Sequence, residues 1–310
     1  MKINNHILLI VWVFGLFLPN QISPIDTNND KLYKKAKSLE NAGLIDDAEK
    51  IYNQIFINSP TNQKYYNALK KILVKNNDCI AIMENSYIYS NAKGNTKYSK
   101  IIELDAQIIC NADWELLFDQ LFKKNINDLL YLKKIISTVM NNNQKEFGIT
   151  AITKIRNYNE DKSFFANELG YYYMSSGDYD KSVREFLNHL EKFPKHLRMI
   201  NERIMSFPTD SDSMNKKIIT ILDNTNIIES KIILADYYFK VENFEKAISI
   251  LKNHNLLNQL LLLAINLDQL NRSATANDLF MYLLRNGDEK IAQKAVFEFA
   301  KSLENRGLLK

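Results

Sequence analysis

The chain has 310 residues, 46% of them hydrophobic and 25% charged, which is ample material for a packed core. Its 40 basic and 36 acidic residues give a formal net charge of +4 with the two signs interspersed. No basic block concentrates Lys and Arg as a nucleic-acid footprint would, so nucleic acid is not an expected partner. Eight Gly and five Pro are too few for the turns of an all-β fold, while apolar residues recur at the three- and four-residue spacing of helices.

At the N-terminus, Lys2 precedes the unbroken apolar run ILLIVWVFGLFL (Ile7 to Leu18), and PNQISP then turns polar. A basic start, a short apolar run and a polar exit over residues 1–23 fit a secretory signal peptide. The run is shorter than the ~20 residues that span a bilayer. Ser23 suits a cleavage site but Pro24 hinders it, so retention as an inner-membrane anchor through residues 7–18 is the alternative. The expected location is exported, periplasmic or secreted. No Cys follows the run, so a lipid-modified terminus is unsupported. Cys79 and Cys110 are the only cysteines and read as two separate buried thiols, with pairing left open.

A polar break at Asn28–Asp30 precedes the first helical pattern, Leu32, Ala36 and Leu39, which ends at Gly43. A second helix from Asp46 carries Ala48, Tyr52, Ile55 and Phe56 and is closed by Pro60. Gly43 accepts the left-handed backbone that terminates a helix. Ala48 allows close helix approach, Tyr52 and Ile55 share its stripe, and Pro60 cannot continue the helix. Residues 61–94, 95–128 and 129–162 keep the shape loosely, with Leu69, Ile82 and Tyr89, then Trp114 and Phe118, then Ile135, Gly148 and Ile152. Lys70 stands where a small residue is expected, and the first helix of 95–128 reads as overlong.

Residues 163–196 repeat the first unit most clearly. GDYDKSVREFLNHLEKFP (177–194) has the skeleton of GLIDDAEKIYNQIFINSP (43–60), and Ala166, Leu169, Gly170 and Tyr173 precede Gly177, Ser182, Phe186 and Pro194. This pattern resembles the tetratricopeptide repeat, a helix–turn–helix unit of 34 residues. Weaker copies follow at 228–256, with Leu234, Tyr238 and Ala247, and at 257–290, with Leu263, Ala276 and Phe280. A closing helix is expected over 293–306, and a break at Pro208. The resemblance implies an all-α, right-handed α-solenoid of tandem hairpins over 24–310, about eight of them plus a final helix.

No catalytic constellation emerges. His6, His189, His196 and His254 form no metal-ligand pattern, and His189 and His254 share one repeat position as packing residues. Asp46-Asp47 and Asp178/Asp180 suit helix N-termini. The expectation is therefore no enzyme activity, no cofactor and no metal. In the family, first helices line a groove, which implies contacts from Phe164, Asn167, Tyr171 and Met174, and from Glu229, Ile232, Asp236 and Phe239. Within Tyr171-Tyr172-Tyr173, helical geometry sends Tyr173 to the core and Tyr171 to the groove. Tyr33 and Lys37 depart from the variant that grips a C-terminal carboxylate. The expected function is a non-catalytic envelope scaffold that binds a peptide or protein segment. The alternative is a structural subunit of a membrane-associated envelope or secretion complex.

Overall fold

The computed structural model describes residues 24–308, and the expected signal or anchor segment 1–23 lies outside them. All regular structure among the described residues is helical. It begins with α1 (Pro24–Asn41), α2 (Ile45–Asn58), α3 (Gln63–Lys75), α4 (Cys79–Ala92), α5 (Lys100–Ile109), α6 (Trp114–Lys124), α7 (Leu129–Asn141) and α8 (Lys145–Asn159). It continues with α9 (Ala166–Ser175), α10 (Tyr179–Lys192), α11 (Leu197–Met205), α12 (Asp212–Asp223), α13 (Ile228–Lys240), α14 (Phe244–Asn253), α15 (Leu257–Gln269), α16 (Ser273–Asn286) and α17 (Glu289–Asn305). The chain divides into two compact units, Met1–Gly148 and Ile149–Lys310, with the boundary inside α8. In each, successive helices pack on their neighbours, the arrangement of an all-α solenoid.

The turns explain why the helices end where they do. Gly43, Asn77, Asn111, Asn143 and Gly177 all have left-handed backbone, with φ of 80°, 54°, 52°, 65° and 77°. They stand 34, 34, 32 and 34 residues apart, each between the two helices of one hairpin. The following N–H then reaches back five residues: Leu44 to Leu39 O at 2.9 Å, Asp78 to Leu73 O at 3.0 Å, Asp178 to Tyr173 O at 2.9 Å. That bond satisfies a carbonyl left open by the last turn. Asn is the side chain that best tolerates this conformation after Gly.

The hairpin α9/α10 shows what the small residues do. A Cβ on Gly170 would lie 2.5 Å from two ring carbons of Phe186, which is fully buried. Ser182 is buried on the facing helix, and its hydroxyl donates to Gly170 O at 2.8 Å. Ala48 and Ala247 are likewise fully buried. Tyr173 is half-buried rather than core, stacked on Tyr172 at 5.2 Å with the Lys181 ammonium beside its ring.

Several sequence expectations change. Asn28–Asp30 is no break: α1 runs through it from Pro24, because its polar side chains find partners on later helices. Asn29 is buried and donates to Ser59 Oγ at 3.1 Å, and Asp30 accepts from Lys64 Nζ at 3.1 Å and Tyr65 Oη at 3.3 Å. The first helix of 95–128 is short, not overlong, since a turn around left-handed Gly94 and Asn95 delays α5 to Lys100. The closing helix starts at Glu289, where Asp288 Oδ1 accepts the Ile291 N–H at 2.8 Å. Cys79 and Cys110 are half-buried neighbours rather than separate buried thiols, with Cys110 Sγ 3.8 Å from Cys79 O.

Candidate functional site

The sites implied by the sequence lie at or on α9 and α13, the first helices of two hairpins in Ile149–Lys310, with α11 between them in the chain. On α9, Tyr171 is 52% exposed. The Arg203 guanidinium, from α11, lies 5.0 Å from its ring centroid, and Arg203 Nη1 donates to Asn167 Oδ1 at 2.6 Å. The same guanidinium is 5.6 Å from the buried Phe186 ring, so packing as well as charge fixes it. On the other side of α11, Asn201 Nδ2 donates to Asp236 Oδ2 on α13 at 2.6 Å.

Desolvation holds the Asp236 carboxyl above the usual carboxylate range, against the lowering effect of the Asn201 hydrogen bond. Asn201 Oδ1 is buried and accepts no hydrogen bond. A buried acceptor in that state is costly. Lower on α13, Lys240 Nζ donates to Met205 O at 2.8 Å and to Phe207 O, tying α13 to the end of α11. Burial pulls the Lys240 ammonium below its ordinary value.

The structure thus brings Asn167, Tyr171 and Asp236 into one row of linked helices. Phe164 lies outside it, and the remaining expected positions on α9 and α13 pack in part against neighbouring side chains. Phe164 is buried at 4% exposure and packs on Phe165 at 5.8 Å, because it belongs to the turn that enters α9 rather than to the exposed helix face. Met174 packs against the core with Val183 and Leu187, and Phe239 against Phe244 at 5.3 Å. Ile232 and Glu229 are half-buried. His254 is exposed at the end of α14, not a packing residue, whereas His189 is buried and its Nε2 lies 2.8 Å from His196 Nδ1.

Sequence reasoning missed Asn201 and Arg203, which sit in the stretch without family signature. A signal was present: Arg203 lies 36 residues after Asn167 and Asn201 35 before Asp236, one repeat in each direction. The row offers amide, guanidinium, carboxyl and phenol groups that hydrogen-bond or stack. No group of three His, Cys, Asp or Glu able to hold a metal occurs among the described residues.

In Met1–Gly148 a cavity of about 380 Å³ is lined by Tyr89, Tyr98, Thr96, Lys93 and Lys134 among others. Tyr33 and Lys37 take no part in it. Tyr33 packs at a tilt against Tyr52 and Tyr65, at 5.6 and 5.9 Å between ring centroids, beneath the Lys64 ammonium, and Lys37 is exposed. Comparison of the chain with protein-family models and with curated proteins returned no match.

Proposed function

We propose that the chain is an exported tetratricopeptide-type scaffold that captures an extended peptide or protein segment, without chemistry, on the α9–α11–α13 row. The observation that carries this is the exposed Tyr171 ring held against Arg203, with the Asn201–Asp236 pair further along the row. An aromatic face braced by a guanidinium is a preorganised contact, so a partner loses little side-chain entropy in meeting it. Asn167, Asn201 and Asp236 supply hydrogen-bonding groups of the kind that pair with peptide amides. The 34-residue spacing of the left-handed turns supports the tetratricopeptide reading of the repeats.

The test is a photo-crosslinking residue placed at Tyr171, alongside affinity capture from envelope extract with wild type and a Tyr171→Ala/Arg203→Ala variant. Recovery of one partner by wild type, crosslinked at 171 and lost in the helical variant, is the expected result. Equal recovery of one stoichiometric assembly by both forms would shift the assignment to the structural-subunit reading. That reading is favoured by the apolar outer stripe of α4, where Ile80, Tyr87 and Ile88 are exposed.

A further inference from the structure

We infer that Cys79 and Cys110 are a modification site: they close as an intramolecular disulfide that clamps α4 to α5. Cys79 is the first residue of α4, and Cys110 is the residue that caps α5. The two helices pack directly on each other, which brings residues 31 apart in sequence side by side. The Cys110 sulfur lies 3.8 Å from the Cys79 carbonyl oxygen, in contact with the backbone of its partner. The clamp requires the two Cα atoms to lie within about 7 Å, so that side-chain rotation alone brings sulfur to sulfur.

Both residues are half-buried, so neither is sealed from a reagent and neither is free to swing away. Cys110 also packs against the core of Ala36, Ile72 and Ile82, which fixes one end of the bridge. Desolvation and the neighbouring Cys79 thiol push the Cys110 thiol up to about 12. Taken from Cys79, the exchange begins when its thiol ionises and attacks.

The oxidant is a disulfide, carried by a protein or a small molecule. The Cys79 thiolate attacks one sulfur of that bond, forming a mixed disulfide and releasing the first oxidant thiol. Cys110 gives up its proton as its sulfur attacks Cys79 Sγ, and the second oxidant thiol leaves with that proton. Two protein thiols become one disulfide, and the oxidant disulfide becomes two thiols. The bridge restricts the unfolded chain between the two positions, so it stabilises Met1–Gly148.

The experiment treats the full chain with oxidised glutathione, then compares it with the same protein under a phosphine reductant. The expected result is a thiol titre falling from two to none, a monomer mass lower by two hydrogens, and a thermal midpoint higher by about 5–10 °C that the reductant reverses. Cys79→Ser and Cys110→Ser should each leave one titratable thiol and a midpoint indifferent to the reductant. Retained thiols, glutathione adducts on both residues, covalent dimers, or a bridge without a rise in midpoint would each overturn the clamp.

Discussion

Replacing Gly170 by Ala would put a methyl carbon where the Phe186 ring already sits. The new Cβ would meet Cδ1 and Cε1 of Phe186 at 2.5 Å and Cγ at 3.1 Å. Carbon atoms pack at about 3.5–4.0 Å, so the ring must retreat by about 1 Å. It has nowhere to go: Phe186 is among the largest fully enclosed side chains, set with Val183, Leu187, Ile200 and Ile204. Ser182 adds a second constraint, because its hydrogen bond to Gly170 O holds α9 and α10 at their present separation. Overpacking of this kind costs about 1–3 kcal/mol, and two hard contacts on a rigid ring put it at the upper end. Ala recovers about 1 kcal/mol of helix propensity relative to Gly. The net loss is about 2 kcal/mol, or a fall of about 4–8 °C in the thermal midpoint of a unit this size. Thermal and urea unfolding followed by circular dichroism read it, and Gly170→Ala/Phe186→Leu should recover part of the loss. A midpoint for Gly170→Ala equal to or above wild type would refute the packing argument, since propensity alone predicts a gain.

The turn residues give a second prediction: Asn77→Val and Asn111→Val, forced to φ near +50°, should each lose about 1–2 kcal/mol in urea unfolding, while Asn→Gly at either site stays near wild type. Arg156 makes two hydrogen bonds to Glu185, at 2.9 and 2.6 Å, and a third to Phe164 O at 2.9 Å, with both side chains largely enclosed. Arg156→Ala leaves Glu185 without that partner and should cost about 3 kcal/mol, and Arg156→Lys should recover little of it because an ammonium cannot reproduce the fork. Asp236, raised in the folded state, contributes stability that is present below its unfolded value and lost as pH rises through its folded one. Asp236→Asn should therefore unfold at a higher temperature than wild type at neutral pH, with the gap closing as pH falls through the carboxylate range; a gap independent of pH would count against desolvation as the cause.

The repeat was legible wherever its signature rested on packing that one residue type satisfies. Gly170 and Phe186 are a matched pair, and so are Gly43 and Gly177 with their left-handed turns. Helix content followed from apolar spacing alone. What could not be read was the partner of a polar residue. Asn29 looked like a loop former because its acceptor, Ser59, lies 30 residues away on the far side of the hairpin. Phe164 looked like a groove residue because family register was applied to a segment that begins with a turn, where Phe165 itself takes a left-handed φ of 62°. The nearness of Cys79 to Cys110 was invisible for the same reason as Asn29: it depends on which helices become neighbours.

The degenerate copies show how a repeat survives the loss of its signature. Lys70 occupies a position meant for a small side chain, yet it is accommodated by an ion pair with Asp105 one repeat on. Asp105 in turn accepts the Asn142 amide at 2.8 Å, one repeat further. Lys97 plays the same part, accepting the Tyr131 hydroxyl on its carbonyl at 2.7 Å, 34 residues away. In Ile149–Lys310 the Asn167–Arg203 and Asn201–Asp236 bonds are rungs of 36 and 35 residues. Register is thus held by two devices that side-chain signatures do not report: left-handed turns 32–34 residues apart from Gly43 to Gly177, and polar rungs spanning one period. Small-to-large exchange inside a hairpin is tolerated when the larger residue can reach the next rung. In Ile149–Lys310 the rungs lie on α9, α11 and α13, so their polar groups gather along that row. A partner binding there would compete for bonds that already hold neighbouring repeats together, so occupancy of the row and the stability of α9–α13 are coupled, and removing Arg203 should weaken both.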